Sequence, residues 1–291
     1  MKGILLIALG ASEYGQMASN LAMSIRHTDK EVNIHLAHTE SSIRSLSEAH
    51  KKLFTSMSLC PPEYYTTNGK TEFIKAKTHM YDLTPYDETL FLDADMYILP
   101  HVNMSDVLTE LSEACDWTIE NRGFEDLSKP DDKIRADWST WCNVLEVKKH
   151  FKTQGRFYHL HSEFVFFKKN AKNKKFFDKV REIYDSRPIK WTNFDGGVPD
   201  EYAFDIAVCT TGRHPHKEKF IKIYWHGMDG HKDWNKDVIK NYIGFSLGGN
   251  YKPEWIQNKE NAYKALFRQV LKLHTFNVPP KKQWNKNRTM I

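Results

Sequence analysis

The sequence predicts an α/β fold in which a mostly parallel central sheet is flanked by helices. Residues 4–9 form a continuous apolar run, as expected of a strand that is buried on both faces. Segments with apolar residues at helical spacing alternate with further apolar runs of strand length, which is the pattern of βαβ units. One such run, residues 90–92, leads directly into two acids, Asp93 and Asp95. The 291 residues are enough for one large domain or two small ones.

The first 55 residues are predicted to form the element order β-α-β-α. Ser12 is the expected N-cap of the first helix, whose apolar positions recur at helical spacing. The next apolar residues predict a second strand with Val32, Ile34 and Leu36, and then a second helix with Ile43, Leu46, Ala49 and Leu53. No Gly-x-Gly-x-x-Gly follows the first strand, which argues against a dinucleotide-binding domain.

The middle of the chain places a lysine in a helical pattern just before the Asp93 strand. Lys77 lies on the apolar face of this pattern, where it either reaches a charged group or extends its stem along apolar surface. Residues 107–114 predict another helix and residues 117–119 a strand. Residues 120–156 are polar, rich in tryptophan and weakly periodic, which predicts a variable loop region of the kind that often determines substrate specificity.

Polar residues also stand beside predicted elements in the second half of the chain. His161, Ser162 and Glu163 lead into an apolar strand over residues 164–167, and a helix over residues 176–184 follows. A glycine-containing turn over residues 194–202 then brings three acids close together in sequence: Asp195, Asp200 and Glu201. Asp200 is a candidate N-cap for the helix that begins there, and three acids at one turn also favour a site.

The last apolar strand of the sheet is predicted over residues 220–225 and ends at a histidine. His226 is an acceptable Mn²⁺ ligand beside carboxylates, and Lys232, six residues later, is a candidate partner for phosphate. The alternative for a single histidine at a strand end is a structural role. An amphipathic helix over residues 262–274 and a basic tail from residue 279 complete the chain.

Asp93 and Asp95 carry the clearest chemical signal. Ligands of open α/β sheets bind beyond the carboxyl ends of the strands, and two carboxylates placed there suit Mg²⁺ or Mn²⁺, which commonly bring phosphate oxygens with them. The alternative is a strand-end turn that binds nothing.

Composition narrows the class of protein further. The net charge of +5 is too small, and the basic residues too interleaved with acidic ones, to indicate a nucleic-acid-binding protein. Four cysteines without a Cys-x-x-Cys pair predict reduced thiols rather than a disulfide framework. The apolar start resembles a signal peptide but is short and lacks a convincing cleavage site, and no run approaches membrane-spanning length. We therefore expect a cytoplasmic protein without stable membrane insertion.

Three motifs in the same order resemble those of one enzyme family. Lys77 precedes Asp93 by 16 residues, with Leu83, Thr84 and Tyr86 between them and Phe91-Leu92-Asp93-Ala94-Asp95 at the end. Phe194-Asp195-Gly196-Gly197 follows, and His226, Lys232 and Trp234 form the third motif. Together these motifs are similar to those of GT-A glycosyltransferases, most closely the glycogenin-like family 8 enzymes. The resemblance covers roughly residues 4–234.

The resemblance implies a fold and a domain organisation. The sheet would be the Rossmann-like, mostly parallel sheet of the GT-A type, in a catalytic domain over residues 1–250 with a C-terminal helical extension and tail over residues 251–291. The nucleotide-sugar half would cover about residues 1–120 and the acceptor half about residues 121–250. The implied reaction is metal-dependent transfer of a hexose from a UDP-sugar, with retention of the anomeric configuration.

The resemblance also implies roles for individual residues. The ligands of Mn²⁺ (or Mg²⁺) would be Asp93, Asp95 and His226, and Lys232 would hold the diphosphate. Uracil and ribose would be bordered by Ala8, Leu9 and Tyr14, and Ala94 would contact the donor. Lys77 would face the donor sugar or phosphates. The sugar and reaction side would be lined by Glu163, Asp195, Asp200 and Glu201. For Tyr14, taken alone, a half-buried helix tyrosine is the alternative.

The chain departs from the family motifs at several positions, and other functions stay open. His161-Ser162-Glu163 stands where the family has Asn-Ser-Gly, Glu201 stands in place of a glutamine, and Asp233 in place of a proline.

The alternative functions to a glycosyltransferase are a nucleotidyltransferase or sugar-nucleotide pyrophosphorylase, and an inactive nucleotide-sugar-binding homologue. The sequence indicates neither the sugar nor the acceptor class, which ranges over protein, glycan, lipid and nucleic acid, and it is compatible with a homodimer.

Overall fold

The structure is a computed structural model that describes residues 1–192, 197–220, 222–225 and 240–246. The candidate site residues Asp195, His226 and Lys232 lie outside these ranges, as do the expected C-terminal helix and basic tail.

The first part of the chain alternates strands and helices. Its strands are β1 (Lys2–Ala8), β2 (Ile34–His38), β3 (Ser56–Leu59), β4 (Thr66–Thr67), β5 (Lys70–Thr71), β6 (Glu88–Leu92) and β7 (Met96–Ile98). Its α-helices are α1 (Ser12–Thr28), α2 (Glu40–Ile43), α3 (Glu48–Lys51), α4 (Met80–Leu83) and α5 (Met104–Ala114). Two 3₁₀-helices cover Pro62–Tyr64 and Phe73–His79.

The second part of the chain contains β8 and β9, the two longest strands among the described residues. Its strands are β8 (Trp117–Asp126), β9 (Arg156–Lys168), β10 (Ile223–Trp225) and β11 (Gly244–Ser246). Its helices are a 3₁₀-helix (Asp131–Lys133), α6 (Val144–Phe151), α7 (Ala171–Ser186) and α8 (Asp200–Thr211).

These elements belong to two compact units. The N-terminal unit consists of Gly3–Leu59, Leu92–Glu110 and the described residues from 222 onwards. The central unit consists of Met1–Lys2, Cys60–Phe91 and the described residues of 111–220. The predicted fold class, a mixed α/β fold with a mostly parallel sheet flanked by helices, is confirmed.

In the N-terminal unit, the parallel strands lie in the order β3-β2-β1, with Ile4 opposite Ile34. A second, mixed sheet has the order β10-β11-β7. Helix α1 approaches the segment that contains α2 closely at Gly15, where a Cβ atom would lie 2.0 Å from the carbonyl oxygen of Ser42. Only glycine permits this contact, which fixes α1 beside the loops that follow β1 and β2.

Asp29, just after α1, accepts four hydrogen bonds through its carboxylate. Its Oδ1 accepts from the backbone amides of Glu31 and Val32 at 3.1 and 2.9 Å, and its Oδ2 accepts from the amide and hydroxyl of Ser105 at 2.8 and 2.6 Å. Burial opposes ionisation, but the hydrogen bonds from Ser105, Val32 and Glu31 prevail and lower the pKa of Asp29. Asp29 therefore links the end of α1 to the first turn of α5.

We expect Asp29→Ala to lower the free energy of unfolding by about 2–4 kcal/mol, because it leaves the amides of Glu31, Val32 and Ser105 without their acceptor. Ser105→Ala, which removes one of the hydrogen bonds, should cost about 1 kcal/mol. Because the pKa is lowered in the fold, the contribution of Asp29 is present above its ordinary pKa and is lost as the pH falls. Urea unfolding at two pH values measures both effects, and equal stability of Asp29→Ala and wild type at neutral pH would contradict this account.

In the central unit, β8 and β9 form an antiparallel pair whose register is interrupted. Ile119 pairs with Val165, but the next residue, Glu120, pairs with His161. Ser162, Glu163 and Phe164 are therefore extra residues on β9. Such bulges redirect side chains and are frequent beside active sites. Helices α7 and α8 pack together here, where Phe176 and Phe177 contact Phe204 at ring-centroid distances of 6.3 and 6.1 Å.

Several predicted elements differ from the structure at their boundaries. The N-cap position of α1 is occupied by Ala11, so Ser12 is the first residue of the helix and not its N-cap. The N-cap position of α8 is occupied by Pro199, and Asp200 is likewise the first residue of the helix and not its N-cap. The single helix predicted over residues 43–53 is instead two short helices, α2 and α3, because Thr39 and Ser47 each accept a hydrogen bond from the amide three residues later and start a separate turn.

The region predicted as a loop over residues 120–156 is partly regular. Its start continues β8 to Asp126, and α6 lies near its end. The cysteines Cys60, Cys142 and Cys209 are buried and Cys115 is partly buried, and none forms a disulfide. None of the helices in the described ranges combines the length and the apolar character that crossing a membrane requires.

Candidate active site

The Asp93-Ala94-Asp95 segment is a tight turn between β6 and β7. Asp93 Oδ1 accepts a hydrogen bond from the Ala94 amide at 3.0 Å, and the Met96 amide donates to the Asp93 carbonyl at 3.2 Å. Ala94 is buried and both aspartates are half-buried. The turn holds two carboxylates at the end of a strand, as predicted, and this pair of hard oxygen donors fits a Mg²⁺ or Mn²⁺ ion.

The third predicted metal ligand, His226, lies outside the described residues. Within the ranges that the structure describes, no three His, Cys, Asp or Glu side chains are grouped as a metal site. The metal site of Asp93, Asp95 and His226 thus stays a prediction.

The loop after β1 is fixed by side chains from the start of α2. Ser42 Oγ donates to the Ala8 carbonyl at 2.6 Å, and the Gly10 amide donates to Thr39 Oγ1 at 3.1 Å. Gly10 has φ of +82°, a conformation that favours glycine. We did not predict this link, although the sequence contains a signal for it in the capping box formed by Thr39 and Ser42.

The residues proposed to border uracil and ribose differ in exposure. Ala8 and Leu9 are buried, whereas Tyr14, in the first turn of α1, is 49% exposed. Their contact with a nucleotide stays a prediction.

The central unit brings three predicted site residues together with Lys77. We call Glu163, Asp200 and Glu201 the carboxylate cluster. Asp200 and Glu201 are the first two residues of α8, and Glu163 lies in the β9 bulge. Lys77 Nζ, from the 3₁₀-helix Phe73–His79, lies 3.8 Å from Asp200 Oδ2. The lysine on an apolar helical face therefore reaches a charged group, which was one of its two predicted outcomes.

The neighbours of the other two carboxylates come from β9. His161 Nδ1 lies 3.6 Å from Glu163 Oε2, and Ser162 Oγ donates to Glu201 Oε1 at 3.1 Å. Burial opposes ionisation of Glu163, but the hydrogen bond and charge of His161 and the charge of Lys77 outweigh it and lower its pKa. Burial and the charge of Asp200 instead raise the pKa of Glu201 well above its ordinary value.

An aromatic group that we did not predict lies beside His161. The ring of His159 stacks on that of His161, with centroids 5.2 Å apart and an interplanar angle of 8°. Trp138 meets His159 edge-on at 6.5 Å, and burial, with the charges of His161 and Arg122, lowers the pKa of His159 to about 4. The signal in the sequence is the alternation of His159 and His161, which side chains on one face of a strand produce.

Asp205 is a second residue that we did not predict. It is fully buried in α8, where its Oδ1 accepts from the Leu160 amide at 3.2 Å and its Oδ2 from Ser139 Oγ at 3.3 Å. Burial raises its pKa well above the ordinary value. An acid between Phe204 and Ile206 in an apolar helix was the available signal. Asp205 links the segment around Ser139 to β9 and so supports the strand that carries Glu163.

Comparison with known proteins identifies the fold. The sequence matches no protein-family model and no curated protein. Among solved structures, the bifunctional glycosyltransferase WbbM matches 98% of this chain with a TM-score of 0.57 and 14% identity, and this chain covers 51% of WbbM. The galactosyltransferase LgtC, solved with donor and acceptor sugar analogs, matches 98% of this chain and 100% of its own length, with a TM-score of 0.53 and 12% identity.

A third similar structure is the glycosyltransferase GlyE of Streptococcus pneumoniae TIGR4. It matches 93% of this chain and 60% of its own, with a TM-score of 0.52 and 11% identity. The chain thus spans about half the length of WbbM and the full length of LgtC. At these identities the likeness concerns the fold alone, so the glycogenin-like family 8 assignment stays a prediction. The protein has the fold of solved glycosyltransferases.

Proposed function

We propose that the protein is a metal-dependent glycosyltransferase that transfers a hexose from a UDP-sugar to the hydroxyl group of an acceptor, with retention of the anomeric configuration. The observation that carries this proposal is the turn of Asp93 and Asp95 at the end of a strand in a glycosyltransferase fold. LgtC was solved with donor and acceptor sugar analogs, which supports a donor and an acceptor for this protein as well.

In this proposal, Asp93, Asp95 and His226 hold Mn²⁺ or Mg²⁺. When bound, the cation supplies Lewis-acid stabilisation of the negative charge that develops on the leaving diphosphate. Lys232 adds a positive charge to the same phosphates. Ala8, Leu9 and Tyr14 border the uridine, and Ala94 contacts the donor beside the two aspartates.

The carboxylate cluster and Asp195 act on the sugar. Lys77 forms an ion pair with Asp200 and balances its charge. In this proposal the same ammonium group also faces the donor sugar or phosphates. Negative carboxylates near the anomeric carbon stabilise the positive charge that develops there as the bond to phosphate breaks. Glu163 and Asp200, whose neighbours His161 and Lys77 favour the ionised form, are therefore the candidates for this contact.

A panel of UDP-sugars with Mn²⁺ and with EDTA tests the proposal. We expect one or a few of them to be turned over only with the metal, and mass spectrometry should find UDP and a free or transferred hexose as the products. Release of pyrophosphate would instead indicate a nucleotidyltransferase or pyrophosphorylase. Binding of UDP-sugars in calorimetry without any turnover would indicate an inactive homologue.

A further inference from the structure

The three acids of the carboxylate cluster have different partners. Asp200 lies 3.8 Å from the ammonium group of Lys77, and Glu163 lies 3.6 Å from the imidazole of His161. Each of these two carboxylates thus has a cation, or a group that becomes one on protonation, as its neighbour. Buried carboxylates with such neighbours are stabilised in the ionised form.

Glu201 is different because its partner is a neutral hydroxyl group. Its Oε1 accepts a hydrogen bond from Ser162 Oγ at 3.1 Å, and within the described part of the chain it forms no ion pair. Its neighbour in sequence is Asp200, whose negative charge disfavours a second one beside it. A half-buried carboxyl group beside a second negative charge is stabilised in its protonated form.

Titratable groups lie on α8 and on the elements that pack against it. They are Glu163 and His161 on β9, Lys77 on the 3₁₀-helix, Tyr184 on α7, and Asp200 and Asp205 on α8 itself. Lys77 lowers the pKa of Glu201, but burial and the charges of Asp200 and Glu163 raise it by more. The directions of the two pKa shifts agree with the partners: the protonated form is favoured at Glu201 and the ionised form at Glu163.

The backbone explains why Glu163 and Glu201 belong to one cluster. The β9 bulge inserts Ser162, Glu163 and Phe164 opposite a single step of β8. It thereby allows the consecutive residues Ser162 and Glu163 both to interact within the cluster, although neighbours in a regular strand point to opposite faces.

We propose that the cluster divides its roles, with Glu201 acting as a neutral acid that holds a proton and offers a hydrogen bond, and Glu163 as the ionised carboxylate that faces the transferred sugar. Two carboxyl groups whose environments favour opposite protonation states are a recurrent acid and base arrangement in active sites. The contact with sugar rests on the proposed function above, whereas the proton on Glu201 does not.

The division suits a sugar transfer. An ionised Glu163 stabilises positive charge at the anomeric carbon. A protonated Glu201 offers an O–H donor to a sugar hydroxyl and adds no negative charge that would repel the diphosphate. Ser162 fixes its orientation and is, in this account, a positioning residue.

Unfolding measured from about pH 3 to about pH 9 tests the assignment in wild type, Glu201→Gln and Glu163→Gln. Each glutamine keeps the shape of the acid and cannot ionise. Because its pKa is raised in the fold, Glu201 stabilises the wild type only at low pH, and this stability is lost as the pH rises. The ratio of the unfolding constants of wild type and Glu201→Gln should therefore rise about tenfold per pH unit from the ordinary glutamate pKa up to the pKa in the fold.

Glu163→Gln is the matched control with the opposite sign. The pKa of Glu163 is lowered in the fold, so its stabilising effect is present above the ordinary glutamate pKa and is lost as the pH falls. The stability of the wild type relative to Glu163→Gln should therefore increase as the pH rises from the pKa of Glu163 in the fold to the ordinary glutamate pKa. A pH-independent difference for Glu201→Gln, or the same sign of slope for both variants, would overturn the proposal.

Two further measurements complete the test. If Glu201→Gln does not fold, the infrared spectrum of Asp205→Asn at pH 7 decides the question. Among the acids in the described ranges, Glu201 is then the one with a strongly raised pKa, and it should show the C=O stretch of a neutral carboxyl. Absence of that band would overturn the proposal. If UDP-sugars are turned over, the rate should fall at alkaline pH in the wild type and not in Glu201→Gln. If none is turned over, the proposed function fails, and the unfolding data still decide where the proton is held.

Discussion

Asp95→Asn is expected to reduce the Mn²⁺-dependent release of UDP from a UDP-sugar by about a hundredfold or more. The substitution keeps the size of the side chain but replaces an anionic oxygen ligand with an amide, which binds hard divalent cations less well. Asp93 also accepts the hydrogen bond of the Ala94 amide within the turn. A loss of activity in an Asp93 variant would therefore combine two causes.

The experiment needs a readout for the metal and a control for the fold. Mn²⁺ binding, followed by electron paramagnetic resonance, should weaken together with the rate, while urea unfolding without metal should remain cooperative. Asp106→Asn makes the same chemical change at an exposed position of α5 in the same unit, and its rate and Mn²⁺ affinity should match the wild type. Undiminished turnover by Asp95→Asn would remove Asp95 from the metal site.

The elements predicted correctly are those whose signal is local. The apolar residues of α7 recur at helical spacing, and Phe176, Phe177, Val180, Ile183 and Tyr184 are all buried as expected. Strand β1 is buried along nearly its whole length, as its continuous apolar run predicts. In both cases a short window of sequence contains the pattern that the core selects.

The extension of β8 was missed because its stabilisation is not local. Glu120 and Asn121 are polar and look like the start of a loop, yet both are buried and pair with His161 and Leu160 on β9. Pairing with a distant strand satisfies their backbone groups, and a sequence window does not contain that partner.

In the candidate site, too, some features have a local sequence signal and others depend on contacts between distant segments. The Asp93 and Asp95 turn was evident because both acids follow a strand directly. The meeting of Lys77 with Asp200 depends on how a 3₁₀-helix and α8 pack, and the place of Glu163 depends on a bulge in β9. The types of residue in the cluster could be predicted from sequence, but their pairing and the different protonation of Glu163 and Glu201 could not.

Glu163→Gln is expected to lower kcat for sugar transfer by about 10²–10³-fold with little change in KM for the donor. The reason is that the charge of Glu163 stabilises positive charge that exists at the anomeric carbon in the transition state and not in the bound donor. Glutamine preserves the volume and one oxygen acceptor, so binding of the ground state is largely retained. Steady-state kinetics with the donor identified in the panel measures both parameters.

Glu182→Gln provides the matched control for this loss. Glu182 is exposed on α7, where it pairs with Lys179, and an exposed ion pair contributes little to stability. Its kcat and KM should equal those of the wild type. A rise in KM with unchanged kcat in Glu163→Gln would show that Glu163 binds the donor uniformly in the ground and transition states, and the ionised group that acts on the sugar would then have to be sought at Asp200 or Asp195.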